Sequence, residues 1–197
     1  MRLFLSAVAS LSFSLCSVVG CREAPRPDPG AVTTASGASS TSAPSKITVA
    51  AGEVALGKPP PDFTAKDHNG SELKLSALKG KPIVVYFYPK DETSGCTQEA
   101  KDFRDAWSGL QEKGAVVIGI STDKDGSHQA FAKHHSLPFH LVSDPNGEIA
   151  KAFGVPNRVG FLGRQTFVIG ADGNMKKIYR DVDVSKHAAE VLADVKS

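Results

Sequence analysis

The chain has 197 residues, 41% of them hydrophobic and 22% charged, proportions that fit one globular domain of ordinary size and exclude a fibre or a wholly disordered scaffold. Its 23 Lys and Arg residues are interspersed with 21 Asp and Glu for a net charge of +2, which leaves no electrostatic footprint for a nucleic acid. Three cysteines are present, Cys16, Cys21 and Cys96, and because the first two fall near the N-terminus no disulfide framework can form inside the folded part.

Residues 1–20 begin with Arg2 and continue as an apolar stretch interrupted by serines. The stretch is short and weak for a spanning helix, which needs about 20 predominantly apolar residues, and it fits a secretory signal peptide better. Its end, Val18-Val19-Gly20-Cys21, resembles a bacterial lipobox, in which the Cys becomes the lipidated first residue of the mature protein, although Val18 stands where Leu is more usual. The expectation is an exported cell-envelope lipoprotein anchored through Cys21 and facing the periplasm or the cell exterior, with a cleaved secreted form and a retained single-span anchor as alternatives. Arg22 after the Cys, rather than Asp, favours an outer membrane for a Gram-negative source. Residues 21–45 are rich in Pro, Ala, Ser, Thr and Gly and contain no aromatic, so they cannot bury enough surface to order themselves and read as a tether reaching about 25–30 Å.

The folded domain is expected over residues 46–197. Residues 63–73 alternate around Asn69-Gly70 and predict a hairpin. Residues 75–78 suit a helical turn, and residues 83–87 are a continuous apolar run of the kind found in mid-sheet, covered on both faces. A first long helix is predicted from 95 to about 113, with Phe103, Ala106, Trp107 and Leu110 at helical spacing and Gly114 as its C-terminal cap. Then follow a strand at 115–121, a helix at 127–135, a short strand at 139–142, a turn at 144–147 and a helix at 148–153. A strand at 165–169, a turn at 171–174, a strand at 175–179 and a helix at 185–195 complete the chain. Strands alternating with helices and ending in a hairpin describe a three-layer α/β sandwich.

The chemistry concentrates in Tyr86-Phe87-Tyr88-Pro89-Lys90-Asp91-Glu92-Thr93-Ser94-Gly95-Cys96. This stretch leaves a buried strand, turns at Pro89 and sets Cys96 at a helix N-terminus, where unpaired backbone N–H groups and the positive end of the macrodipole favour the charged form of the sulfur. Pro89, lacking an N–H, lets the loop fold over the sulfur rather than extend the sheet, and the Thr93 hydroxyl can reach the same space. The six histidines show no ligand spacing, and His134 and His135, being adjacent, are expected on different faces of a helix, so no metal site is predicted. Cys96-Thr97-Gln98-Glu99 lacks a second thiol, which argues against a disulfide oxidoreductase.

The spacing of Pro89, Thr93 and Cys96 resembles the active-site signature of the peroxiredoxins. Residues 86–99, Lys101-Asp102-Phe103-Arg104, residues 117–123, Leu137-Pro138-Phe139 and Ser143-Asp144-Pro145 are similar to the bacterioferritin-comigratory (PrxQ) branch, so the likeness covers roughly residues 57–192. It implies a thioredoxin-like fold with a peroxiredoxin-type N-terminal hairpin, and it aligns Arg164 with the arginine that this family places beside the reactive sulfur. Arg158, close by in sequence, is its rival. Glu99, one turn after Cys96, is either a partner of that arginine or a surface carboxylate.

The implied activity is a thiol-dependent peroxidase that reduces hydrogen peroxide and organic hydroperoxides through a Cys96 sulfenic acid, as an antioxidant, monomeric enzyme without a cofactor. Many members of the branch carry a second Cys five residues after the first, where this chain has Lys101, so resolution is expected to fall to an external thiol or thioredoxin. The competing reading is a membrane-tethered thioredoxin-fold binding or chaperone-like module with little peroxidase activity.

Overall fold

The computed structural model describes residues 46–50, 52 and 54–196, so the expected signal peptide, Cys21 and the expected tether lie outside the described residues. Strands β1 (Thr48–Val49), β2 (Phe63–Lys66) and β3 (Glu72–Lys74) form a small antiparallel sheet. The predicted hairpin turn is built on Asp67, whose Oδ1 accepts from the N–H groups of Asn69 and Ser71, both at 2.9 Å, with Gly70 in the left-handed region. A 3₁₀ turn (Leu75–Leu78) leads into β4 (Ile83–Phe87). Next come α1 (Ser94–Asp105), α2 (Trp107–Glu112), β5 (Val116–Ser121), α3 (Asp125–His135), β6 (His140–Ser143) and α4 (Glu148–Ala152). A two-stranded ribbon of β7 (Asn157–Arg158) and β8 (Phe161–Leu162) precedes β9 (Gln165–Ile169), β10 (Met175–Tyr179) and α5 (Val184–Asp194).

The main sheet has the order β10-β9-β4-β5-β6, with β4, β5 and β6 parallel and β9 antiparallel to both β4 and β10. Every residue of β4 and β9 is buried, as two covered faces require, and strand alternation divides the core in two. Ile83, Val85 and Phe87 join Ile118, Ile120, Phe167, Phe63 and Phe153 on the face covered by α4 and the small sheet. Val84, Tyr86 and Tyr88 join Cys96, Ala100, Phe103, Phe131 and Val191 on the face covered by α1, α3 and α5. Each large apolar side chain buried in this way contributes roughly 1.5–3 kcal/mol. Gly119 faces Tyr86 in the β4·β5 register, and a Cβ there would lie 2.6 Å from the Tyr86 ring, so glycine lets that ring stack on Tyr88 at 5.5 Å.

The single helix expected from 95 to about 113 is in fact two, broken at Ala106. Beyond the break lies the pair Ser108-Gly109, and a Cβ at Gly109 would stand only 3.2 Å from Leu192, so the bend admits close approach of α5. The β7–β8 ribbon was not predicted, because its tip puts Val159 at φ 52°, a conformation that β-branched residues rarely hold, and leaves Gly160, at φ 82°, as the turn signal. Among the described residues no helix is long and apolar enough to cross a membrane.

Candidate active site

Tyr88 N–H still donates to Ile120 O at 3.1 Å, so the chain leaves the sheet at Pro89, as its missing N–H dictates. The loop is then tied down through Asp91, which is 5% exposed. Asp91 N–H donates to Asp123 Oδ2 at 2.8 Å, while its carboxylate accepts from Tyr88 Oη and Ser127 Oγ, both at 2.7 Å, and lies 3.0 Å from His128 Nδ1. Burial pushes the Asp91 carboxyl up, but the His128, Ser127 and Tyr88 contacts outweigh it and hold the group below the ordinary carboxylate range. The sequence reading gave Asp91 and His128 no part; the only signal was that Asp91 and Asp123 both fall inside the matched motifs.

Thr93 caps α1 with extended backbone, and its carbonyl accepts the first helical bond, from Thr97 N–H at 2.8 Å. The N–H groups of Ser94, Gly95 and Cys96 precede the helical ladder and face the sulfur's end of the helix. The Thr93 hydroxyl is spent as a donor on Lys90 O at 3.0 Å, which leaves its oxygen as an acceptor. The buried face of α1 is Cys96, Glu99, Ala100 and Phe103, an i, i+3, i+4, i+7 set. That spacing carries Glu99 inward, to 1% exposure, and decides against a surface carboxylate.

Gln165 pairs with Phe87, so residue 164 falls just beyond the C-terminal end of β4, where the chain turns toward Cys96. Arg164 Nη2 donates to Cys96 Sγ at 3.3 Å, and Arg164 Nη1 donates to Glu99 Oε2 in a short ion pair. Arg164, not the exposed Arg158 of β7, is therefore the guanidinium at the sulfur. Burial pushes the Glu99 carboxyl up to about 7 against the opposing pull of Arg164, and its buried Oε1 has no hydrogen-bond partner among the described residues. Burial lowers the affinity of Arg164 for its proton, but the adjacent Glu99 and Cys96 reverse this, so the guanidinium stays charged.

One expectation about the histidines is corrected. His134 and His135 do not diverge: their rings stack with centroids 4.3 Å apart, and both meet Glu92. Adjacent helical residues are about 100° apart around the axis, so a carboxylate set between them at the helix end reaches both. A cavity of about 540 Å³ between Pro82, Ile169, Lys176 and Asp194 opens at the N-terminal end of β4, away from the sulfur.

The AhpC/TSA family profile matches residues 56–178. The chain is 47% identical over 147 residues to peroxiredoxin Q, chloroplastic, of Triticum aestivum, covering 73% of this chain and 68% of that one. To the protein of the same name from Sedum lineare it is 45% identical over 161 residues, covering 80% and 87%. The crystal structure of peroxidoxin BcpB from Mycobacterium tuberculosis superposes with a TM-score of 0.67 at 33% identity, covering 73% of this chain and 97% of that one. With a thioredoxin-like sheet, a cysteine at the start of α1 and this likeness over most of its length, the chain belongs to the AhpC/TSA family as a peroxiredoxin of the peroxiredoxin Q type, a thiol-dependent peroxidase.

Proposed function

We propose that Cys96 is the peroxidatic residue, working as a one-Cys enzyme on hydrogen peroxide and small organic hydroperoxides. The observation that carries this reading is the Arg164 Nη2 contact with Cys96 Sγ at the N-terminus of α1. The thiolate attacks the distal peroxide oxygen; an S–O bond forms, the O–O bond breaks, and the departing oxygen leaves with the electron pair and takes a proton. Sulfur is oxidised to sulfenic acid and the peroxide is reduced to water or an alcohol. A guanidinium has five N–H groups, so Arg164 keeps donors for the peroxide oxygens after engaging Glu99 and Cys96. Backbone N–H groups at the start of α1 aid it in stabilising charge on the leaving oxygen. Thr93, its own proton committed to Lys90 O, accepts from the hydroperoxide O–H and orients the substrate. Glu99 and Pro89 act by position, the first fixing Arg164 and the second closing the loop.

Resolution falls to an external thiol or thioredoxin, because Cys96 is the only cysteine of residues 46–197 and Lys101 cannot form a disulfide. A thiol at 101 would in any case stand about 7.5 Å along an intact helix from Cys96. Mass spectrometry of the protein after one equivalent of peroxide is expected to show the gain of oxygen on the Cys96 peptide, trapped by dimedone. Loss of two hydrogens through a disulfide of Cys96 with another cysteine of the same chain would overturn the one-Cys reading.

The enzyme is proposed to act as a monomer at the cell envelope, held by lipid on Cys21. The lipobox-like residues 18–21 and the tether composition support this. Cys21→Ala is expected to move the protein from the membrane to the soluble fraction, and a variant that stays with the membrane would rule out lipidation as the anchor.

A further inference from the structure

Glu92 and His134 serve neither the sulfur chemistry nor the core, and His135, whose ring packs edge-on against core Phe131 at 5.0 Å, takes no part in the sulfur chemistry. Glu92 sits in the loop that delivers Cys96 and holds left-handed backbone, φ 57°, a conformation that costs a non-glycine residue about 1 kcal/mol or more and persists where the surroundings fix it. Its carboxylate crosses to the last turn of α3, with Oε1 at 3.1 Å from His134 Nδ1 and Oε2 at 3.0 Å from His135 Nε2. These ligand atoms all lie within 4.8 Å of one another.

We propose that Glu92, His134 and His135 form a site for a divalent transition-metal ion, with Zn²⁺ as its natural probe, that clamps the Cys96 loop to the end of α3. Two imidazole nitrogens and one carboxylate are a donor set that Zn²⁺ takes where it keeps a coordination position open to water. Bonds of about 2.0–2.2 Å set 90–110° apart separate two donor atoms by roughly 3.0–3.5 Å, so the N–O spacings already present need only side-chain rotation to receive the ion. His135 is 8% exposed and gives a fixed anchor, while Glu92 and His134, at 50% and 70%, leave an entry route from solvent. Arg104 Nη1 donates to the His135 carbonyl at 3.0 Å and holds the helix end in place. The ion would join residues 42 and 43 positions apart in the chain, replacing one exposed and one part-buried hydrogen bond by coordination and steadying the segment between Pro89 and Cys96.

The test uses the full chain with Cys16, Cys21 and Cys96 all replaced by Ser, so that no thiolate competes for metal. Titration with Zn²⁺ should give one equivalent bound and a rise in melting temperature, because binding to the folded state alone stabilises it. Co²⁺ should give visible absorption of a nitrogen- and oxygen-ligated ion. Glu92→Gln and, separately, His134→Ala should weaken Zn²⁺ binding by at least about tenfold and abolish the Co²⁺ spectrum. His134 is exposed, so its variant should fold, and circular dichroism checks this. Unaltered affinity in either folded variant, or no binding at millimolar Zn²⁺, would overturn the proposal.

Discussion

Cys96→Ser is expected to reduce peroxide consumption to the uncatalysed background while leaving the fold intact. The reaction needs a polarisable anion to attack oxygen, and a serine hydroxyl is neither ionised near neutral pH nor nucleophilic without a base beside it. The groups around Cys96 supply a guanidinium, helix-start N–H groups and a carboxylate already engaged by Arg164, and among the described residues no histidine hydrogen-bonds the sulfur to serve as that base. No other cysteine within residues 46–197 can substitute. The structural cost is small, because the change is nearly isosteric and Arg164 keeps an acceptor; about 1 kcal/mol or less is expected. Stopped-flow peroxide consumption and a thermal melt on the same sample measure both halves. Turnover retained in a folded Cys96→Ser protein would remove the sulfur from the mechanism.

Much of this site was legible in the sequence, for identifiable reasons. The apolar run at 83–87 and the turn residues Asn69-Gly70 and Asp144 to Gly147 act locally: Asp144, for example, accepts from the N–H groups of Glu148 and Ala150 and starts α4 as its position suggests. Cys96 is legible at the helix start because the strand, the proline and the apolar spacing of α1 point to it, and Thr93 stands three residues before it. What could not be read was distance across the chain. Whether Glu99 faced inward depended on which side of α1 met the sheet, and the choice of Arg164 over Arg158 depended on the β4·β9 register that sets Gln165 opposite Phe87. The Asp91–His128 network and the meeting of Glu92 with His134 and His135 join residues 37 to 43 positions apart, and no local pattern announces such pairs.

Arg164→Ala is expected to slow the reaction of Cys96 with peroxide by roughly 10²–10³-fold, the loss typical when one donor aimed at developing charge is removed. The variant deprives the sulfur of a cation at 3.3 Å and, in the proposed mechanism, strips the substrate oxygens of their charged donor at the same time. Arg164→Lys should recover only part of the rate, since a single ammonium cannot bridge Glu99 and Cys96 as a planar guanidinium does. The change also reaches Glu99. Burial has already raised that carboxyl from 4.5 to about 7 in opposition to Arg164, a difference worth about 3 kcal/mol between its two protonation states. Because the folded value lies above the unfolded one, the favourable contribution of protonated Glu99 is complete below about pH 4.5 and is lost as pH rises through about 7. Without Arg164 the folded value moves higher still, so the loss of stability extends to higher pH. Arg164→Ala should therefore lower the melting temperature more at about pH 8 than at about pH 5, and Glu99→Gln in the same background should flatten that difference. A wild-type rate of peroxide reaction in Arg164→Ala would exclude the guanidinium from catalysis, and a stability deficit independent of pH would exclude the buried pairing with Glu99 as its source.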